Sequence, residues 1–376
     1  MRSVRIALLA LAVAASALAW PAASASPGGP GGPGGRDAAA GRSHRRPPVD
    51  QPLRDLTRGT RLRIGTAVDM DALAADATYR DRIATEFNSV TAENVMKWET
   101  IEPVRGQLNF GPADELVNFA RENGQQVRGH TLLWHNQLPA WLTQGVASGD
   151  ITPGELRGIL RRHVTDVVSH FRGRIYQWDV VNEVIDDNAN LRDTLWLQQL
   201  GPGYIADVFR WARRADPRVK LYLNDYNVEG ISAKSDAYYA LAQELVDERV
   251  PVDGMGIQGH LGVQFGFFPA SNVAQNLQRF EDLGLETAVT EADVRMLLPS
   301  DGVKLQAQAQ GYDTLLQGCL LVRSCTSFTV WGFTDKYSWV PGFFTGEGAA
   351  NLLDENFAPK PAYQAVQATL ALGRPG

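Results

Sequence analysis

An α/β fold of the (β/α)8 TIM-barrel type is what this sequence predicts, and three observations carry the prediction. Apolar, β-rich runs recur eight times between residues 63 and 331. Helical patterns separate them, and strand alternating with helix favours parallel strands joined by helical crossovers. Amides, acids and indoles collect after seven of the eight runs, where a barrel would open its C-terminal mouth. An open doubly wound sheet is the rival. It is weakened because no Gly-rich phosphate loop follows the first run.

Residues 1–25 read as a signal peptide. Arg2 and Arg5 precede the apolar stretch Ile6–Trp20, and Ala23-Ser24-Ala25 has the small residues of a cleavage site. Residues 26–50 carry Pro-Gly-Gly repeats and then Arg42-Ser43-His44-Arg45-Arg46. They hold too few apolar side chains to bury a core, so disorder is expected. The basic patch reads as a solvated tail, with polyanion attachment as the alternative. Residues 51–376 read as one barrel domain, of a length that suits the fold.

Within it the expected strands are 63–68, 89–92, 126–131, 176–181, 220–224, 254–258, 287–290 and 327–331. Each is short and apolar, as strands buried on both faces tend to be. Residues 112–121 have helical spacing. Thr152 followed by Pro153 is an N-cap with proline at the first helical position, opening a helix to about Phe171. Further helical patterns cover 204–214, 233–248 and 305–317.

The net charge is −6, and loss of Arg2 and Arg5 with the leader makes it −8. Mild acidity argues against nucleic acid and is compatible with a neutral sugar polymer. No second long apolar stretch follows the leader, so a secreted, soluble chain without membrane attachment is expected. Nothing suggests a partner surface, which favours a monomer. Cys319 and Cys325 are the only cysteines. In a secreted chain so close a pair points to a disulfide, with free thiols as the alternative. The six histidines lack metal-ligand spacing, so neither metal nor cofactor is expected.

Two acids stand out. Glu183 closes the fourth run and Glu291 the seventh. A carboxylate at the mouth of a buried strand is costly without partners. Either acid alone could simply pair with a buried Lys or Arg; together they suggest the carboxylate pair of glycoside hydrolysis. One must carry a proton and the other stay ionised, so their surroundings must differ. Glu183 follows the neutral amide Asn182, which assigns it as acid/base. Glu291 is followed by Asp293, with His260 one strand away, which assigns it as nucleophile. Strand alternation puts Glu291 and Asp293 on one side, and likewise Gln258 and His260. Trp134, Trp331 and Trp339 fall near strand ends, where flat indoles can meet sugar rings; Trp178, Trp196 and Trp211 read as core. Glu93, Asn94, Lys97, Gln137 and Asn182 offer donors and acceptors to hydroxyl groups, Asn182 suiting a 2-hydroxyl. Tyr226 joins the candidate substrate contacts after the fifth run.

Taken together, Thr91–Trp98, Arg128–His135, Trp178–Glu183, Leu223–Asn227, Gly256–His260, Val289–Asp293 and Val330–Trp339 resemble glycoside hydrolase family 10, the (β/α)8 endo-1,4-β-xylanases. The resemblance spans about residues 52–370. It implies hydrolysis of xylan with retention, Glu183 as acid/base and Glu291 as nucleophile. It further implies that Glu93, Asn94, Lys97, His130, Trp134, Gln137, Gln258, Trp331 and Trp339 line the donor side, with His260 and Asp293 supporting Glu291. A β-1,4-glucanase, a non-catalytic glycan-binding barrel and an inverting enzyme are the alternatives. Two departures are expected to matter little to the reaction. Ala292 replaces a larger apolar residue, and Val340 stands where many members have arginine.

Overall fold

The computed structural model describes residues 51–373. The expected leader (1–25) and tail (26–50) lie outside the described residues. The eight barrel strands are β1 (Arg63–Val68), β2 (Ser89–Ala92), β3 (Gln126–Gly129), β4 (Ile175–Asn182), β5 (Lys220–Asp225), β6 (Gly254–Ile257), β7 (Glu286–Leu297) and β8 (Cys325–Val330). Each pairs in parallel with its neighbours, and β8 returns to β1, with Arg63 opposite Ser327 and Thr66 opposite Val330. Closure leaves no open edge. The fold is the (β/α)8 barrel that the alternating pattern predicted.

The helix expected at 112–121 is Gly111–Glu122, and Thr152 does cap the helix Pro153–His170, its hydroxyl accepting from Glu155 N. The other expected helices run Tyr204–Ala215, Ala233–Asp247 and Gly302–Leu320. Several elements were not expected. Helices Ala77–Glu86, Ala270–Asp282 and Pro361–Leu372 complete the outer layer, each with apolar residues packed against the core. The third strand ends two residues early, at Gly129 rather than Thr131. The seventh outruns 287–290 to reach Leu297, because it gains partners beyond the barrel. His260–Gly262 joins it in parallel, and Glu347–Gly348 in antiparallel.

Trp178, Trp196 and Trp211 are buried, as their core reading required. Trp178 explains a glycine. A Cβ on Gly129 would lie 2.1 Å from the Trp178 indole, so β3 and β4 can pair at this point only if residue 129 lacks a side chain. Cys319 and Cys325 form a disulfide between the end of helix Gly302–Leu320 and the first residue of β8. It sits at the N-terminal end of that strand, opposite the mouth that carries the acids. Gly129→Ala should therefore destabilise the barrel by about 3 kcal/mol through overpacking, read as a shift in the urea midpoint.

Candidate active site

The mouth is built from strand ends that each deliver one or two polar groups. On β4 the pairing with β5 shifts register between Asp179 and Val181, and Glu183 adopts a left-handed backbone at φ 58°. Simple alternation would send Asn182 and Glu183 to opposite sides. The bulge and the positive φ re-aim the chain so that both side chains enter the same polar network. That conformation is fixed by its hydrogen bonds. Glu183 N donates to Asn224 O at 2.9 Å, and Arg192 Nε donates to Glu183 O at 2.7 Å.

The Glu183 carboxylate faces neutral donors. Trp134 Nε1 donates to its Oε2 at 2.8 Å, Gln258 Nε2 to its Oε1 at 3.2 Å, and Asn182 Nδ2 to the same oxygen at 3.4 Å. His135 Nε2 lies 4.0 Å away. Burial, reinforced by the Arg192 charge, pushes the His135 imidazole down to about 4, so it is neutral near pH 7.

Glu291 has a different environment. Asn224 Nδ2 donates to its Oε1 at 2.7 Å, His260 Nε2 lies 3.2 Å from its Oε2, and His130 Nδ1 is 3.7 Å from its Oε1. Burial alone would raise this carboxyl. The charge of His130, the hydrogen bond and charge of His260, and the Arg128 guanidinium together outweigh burial and hold it at about 2. His260 is the mirror case. Burial opposes its charge, yet Asp293 and Glu291 raise it to about 10. Asp293 Oδ2 meets His260 Nδ1 at 2.9 Å and accepts from Trp339 Nε1 at 2.7 Å. Alternation along β7 thus brings Glu291 and Asp293 to one imidazole, while Ala292 turns into the apolar shell.

The remaining expected residues divide into groups. Lys97 Nζ reaches Asn94 Oδ1 at 3.1 Å and Gln137 Oε1 at 2.5 Å, and lies 5.1 Å from the Trp134 ring centre. Burial lowers Lys97, against the pull of Glu291, Glu93, Glu183 and Glu99. Glu93 is pushed up to about 7 by burial and by Asp69, with Lys97 opposing. Trp331 is buried, edge-on to His130 at 5.1 Å. Tyr226 is hydrogen-bonded to neither glutamate. Its hydroxyl meets Arg192 Nη2 at 3.0 Å, and Lys234 Nζ stands 3.6 Å from its ring centre. Val340 is fully buried, away from solvent.

Three residues given no role from sequence stand at the centre. Asn224 bridges the two halves, donating to both Asn182 Oδ1 and Glu291 Oε1, while Thr290 Oγ1 donates to its Oδ1 at 2.7 Å. Arg128 and Asp179, both fully buried, form an ion pair below Glu291, and His130 Nδ1 meets Asp179 Oδ2 at 2.8 Å. The signal for Arg128 and Asp179 was present: Arg128 and His130 are two apart, as are Gln177 and Asp179, so alternation turns these polar residues to one side of each strand. His130, Asp179 and Glu291 are also the one trio, among the described residues, spaced to hold a metal ion. Within it the Arg128 guanidinium already pairs with Asp179 Oδ2.

The paired charges make stability depend on pH in two windows. The raised His260 contributes fully below about 6.5 and loses its contribution as pH rises through about 10. The depressed Glu291 contributes above about 4.5 and loses it as pH falls through about 2. In thermal melts, His260→Asn should lie furthest below the wild type near pH 6, and the gap should close as pH approaches 10.

The sequence model of Glycosyl hydrolase family 10 matches residues 52–369. An endo-1,4-beta-xylanase of Agaricus bisporus is 47% identical over 304 residues, covering 80% of this chain and 89% of that protein. Endo-1,4-beta-xylanase B of Thermotoga neapolitana is 44% identical over 324 residues, covering 85% and 91%. Among solved structures, xylanase 10B of Thermotoga petrophila in complex with xylobiose aligns with a TM-score of 0.81 at 43% identity, covering 85% of this chain and 97% of that one. With the barrel closed, the two glutamates at its mouth and the match running from residue 52 to 369, the chain belongs to glycosyl hydrolase family 10.

Proposed function

We propose that the protein is an endo-1,4-β-xylanase that cleaves internal linkages of xylan with retention, Glu291 acting as nucleophile and Glu183 as acid/base. The observation that carries this reading is the contrast between the two carboxylates. Glu291 is surrounded by His130, His260 and Arg128, whereas Glu183 receives only neutral donors. In the first step Glu291 attacks the anomeric carbon while Glu183 protonates the departing glycosidic oxygen. In the second, Glu183 takes a proton from water as that water displaces Glu291. The Asn182–Asn224 link couples the acid side of the site to the nucleophile, and its amides suit the 2-hydroxyl of the sugar under attack.

Two further points support xylan as the polymer. The similar proteins are named as endo-1,4-beta-xylanases, and a neighbouring structure holds xylobiose. Lys97, Asn94 and Gln137, with Trp134 beside them, form a hydrogen-bonded set flanking Glu183 that suits the hydroxyls and C–H face of a sugar. Residues 1–25 support secretion, the following residues to 50 a solvated tail, and 51–376 the catalytic domain. Among the described residues no helix is long and apolar enough to cross a membrane.

Glu183→Gln should lower kcat on xylan by about 10²–10⁴-fold, the range for a general acid. Glu291→Ala should stop turnover and leave the chain folded. The first product followed by NMR should carry the β anomer. Appearance of the α anomer first, or turnover by Glu291→Ala, would reject the mechanism, and equal rates on carboxymethylcellulose would reject xylan as the preferred polymer.

A further inference from the structure

The wall beside Glu291 continues well past the residues that touch it. Strand β7 runs on through Arg295 to Leu297, flanked by His260–Gly262 and Glu347–Gly348. Arg295 lies at the centre of this extension. Its guanidinium carbon is 4.0 Å from the Phe344 ring centre and 5.7 Å from that of Phe265. Its Nε is 2.9 Å from Glu347 Oε2, so its charge is already paired, and its guanidinium lies against the Phe344 ring. Phe344 meets Phe343 at 4.8 Å and Trp339 at 5.6 Å, and Phe343 meets Trp339 at 5.3 Å. Trp339 in turn donates to the Asp293 carboxylate that holds His260. An unbroken row of flat groups therefore leads from the support of Glu291 outward to Phe265.

Two of these rings are open to solvent. Phe265 is 73% exposed and Phe343 70% exposed. A single exposed apolar residue needs no explanation, but exposed rings joined in one row beside a polar cleft mark an interaction surface. The groups in the row have flat faces, and the C–H faces of a sugar ring can lie against them. Its contact with Trp339 makes it continuous with the candidate site. Its charged members, Arg295 and Glu347, are ion-paired with each other at 2.9 Å, so the row offers no net charge to an ionic partner.

We propose that Phe265 and Phe343, backed by Arg295 and Phe344, form an outer platform for further residues of the β-1,4-linked chain, beyond those that reach the glutamates. The inference rests on the xylanase reading and extends it to preference for long substrates. Phe265→Ala and Phe343→Ala test it directly, because both rings are exposed and their loss opens no core cavity. The quantity to measure is kcat/KM on long xylan divided by kcat/KM on an aryl xylobioside. Each variant should lower this ratio, the pair by about tenfold, through KM more than kcat, as expected for loss of stacking. Phe343→Trp should restore it. An unchanged ratio in the double variant overturns the platform while leaving the activity in place. So does a change of oligomeric state in sedimentation, which would make the row a contact between copies of the chain. A wild type inactive on xylan overturns both readings.

Discussion

The site depends on one buried ion pair. Arg128 on β3 and Asp179 on β4 are fully buried and touch inside the barrel, directly beneath the carboxylate of Glu291. Arg128 also donates from Nη1 to Thr290 O at 3.1 Å, which ties β7 to the same guanidinium one residue before Glu291. Asp179 accepts from two sides, since His130 Nδ1 meets the same oxygen. Two charges taken out of water are expensive, and removing one partner would leave the other uncompensated at about 3–5 kcal/mol. The arrangement is therefore a poor way to gain stability and a good way to fix positions. Three strands, one imidazole and the backbone under Glu291 are held to a single geometry.

Above this pair the two glutamates are separated electrically but joined mechanically. Asn182 Oδ1 accepts from both Asn224 and Gln258, so its amide has one satisfiable orientation. Asn224 then presents its N–H to Glu291, and Gln258 presents its N–H to Glu183. No charged group lies in this chain of amides. It aligns the two carboxyl groups without making them alike. Their difference comes from outside it: His260, His130 and Arg128 surround one, and the Trp134 indole caps the other.

Much of this was legible in the sequence, and the reasons are specific. Eight strands were found because each is a short apolar run bounded by turns, and Thr152-Pro153 marked a helix start because capping chemistry is local. The two glutamates were found because an acid at the end of such a run is conspicuous. Pairing His260 with Asp293 followed from period-2 alternation. What alternation could not give was the aim of Asn182 and Glu183. Their shared direction depends on a register shift against β5 and a left-handed residue, and neither leaves a mark in composition. The extension of β7 was missed for a related reason. Residues 293–297 become strand only because segments 260–262 and 347–348 supply partners. The helix Ala270–Asp282 is polar overall, yet its buried Val273, Leu277 and Phe280 stand at i, i+4 and i+7, so its signature was present in the sequence.

The charge arrangement also explains why His260 is an imidazole rather than an ammonium group. The position needs a cation flat enough to touch Glu291 with one nitrogen and Asp293 with the other, in a slot between Trp331 and Trp339. A lysine would offer one point charge on a flexible stem and could not fix both distances. The imidazole pays for its burial with two carboxylates, and Asp293 in turn gives Trp339 a fixed acceptor. A carboxylate held as an anion by rigid donors needs little reorganisation when a substrate arrives, which is the form of preorganisation that most lowers a barrier. The same donors anchor the indole from which the aromatic row departs. Charge placement at Glu291 and chain alignment along β7 are thus consequences of one hydrogen-bonded unit, His260–Asp293–Trp339.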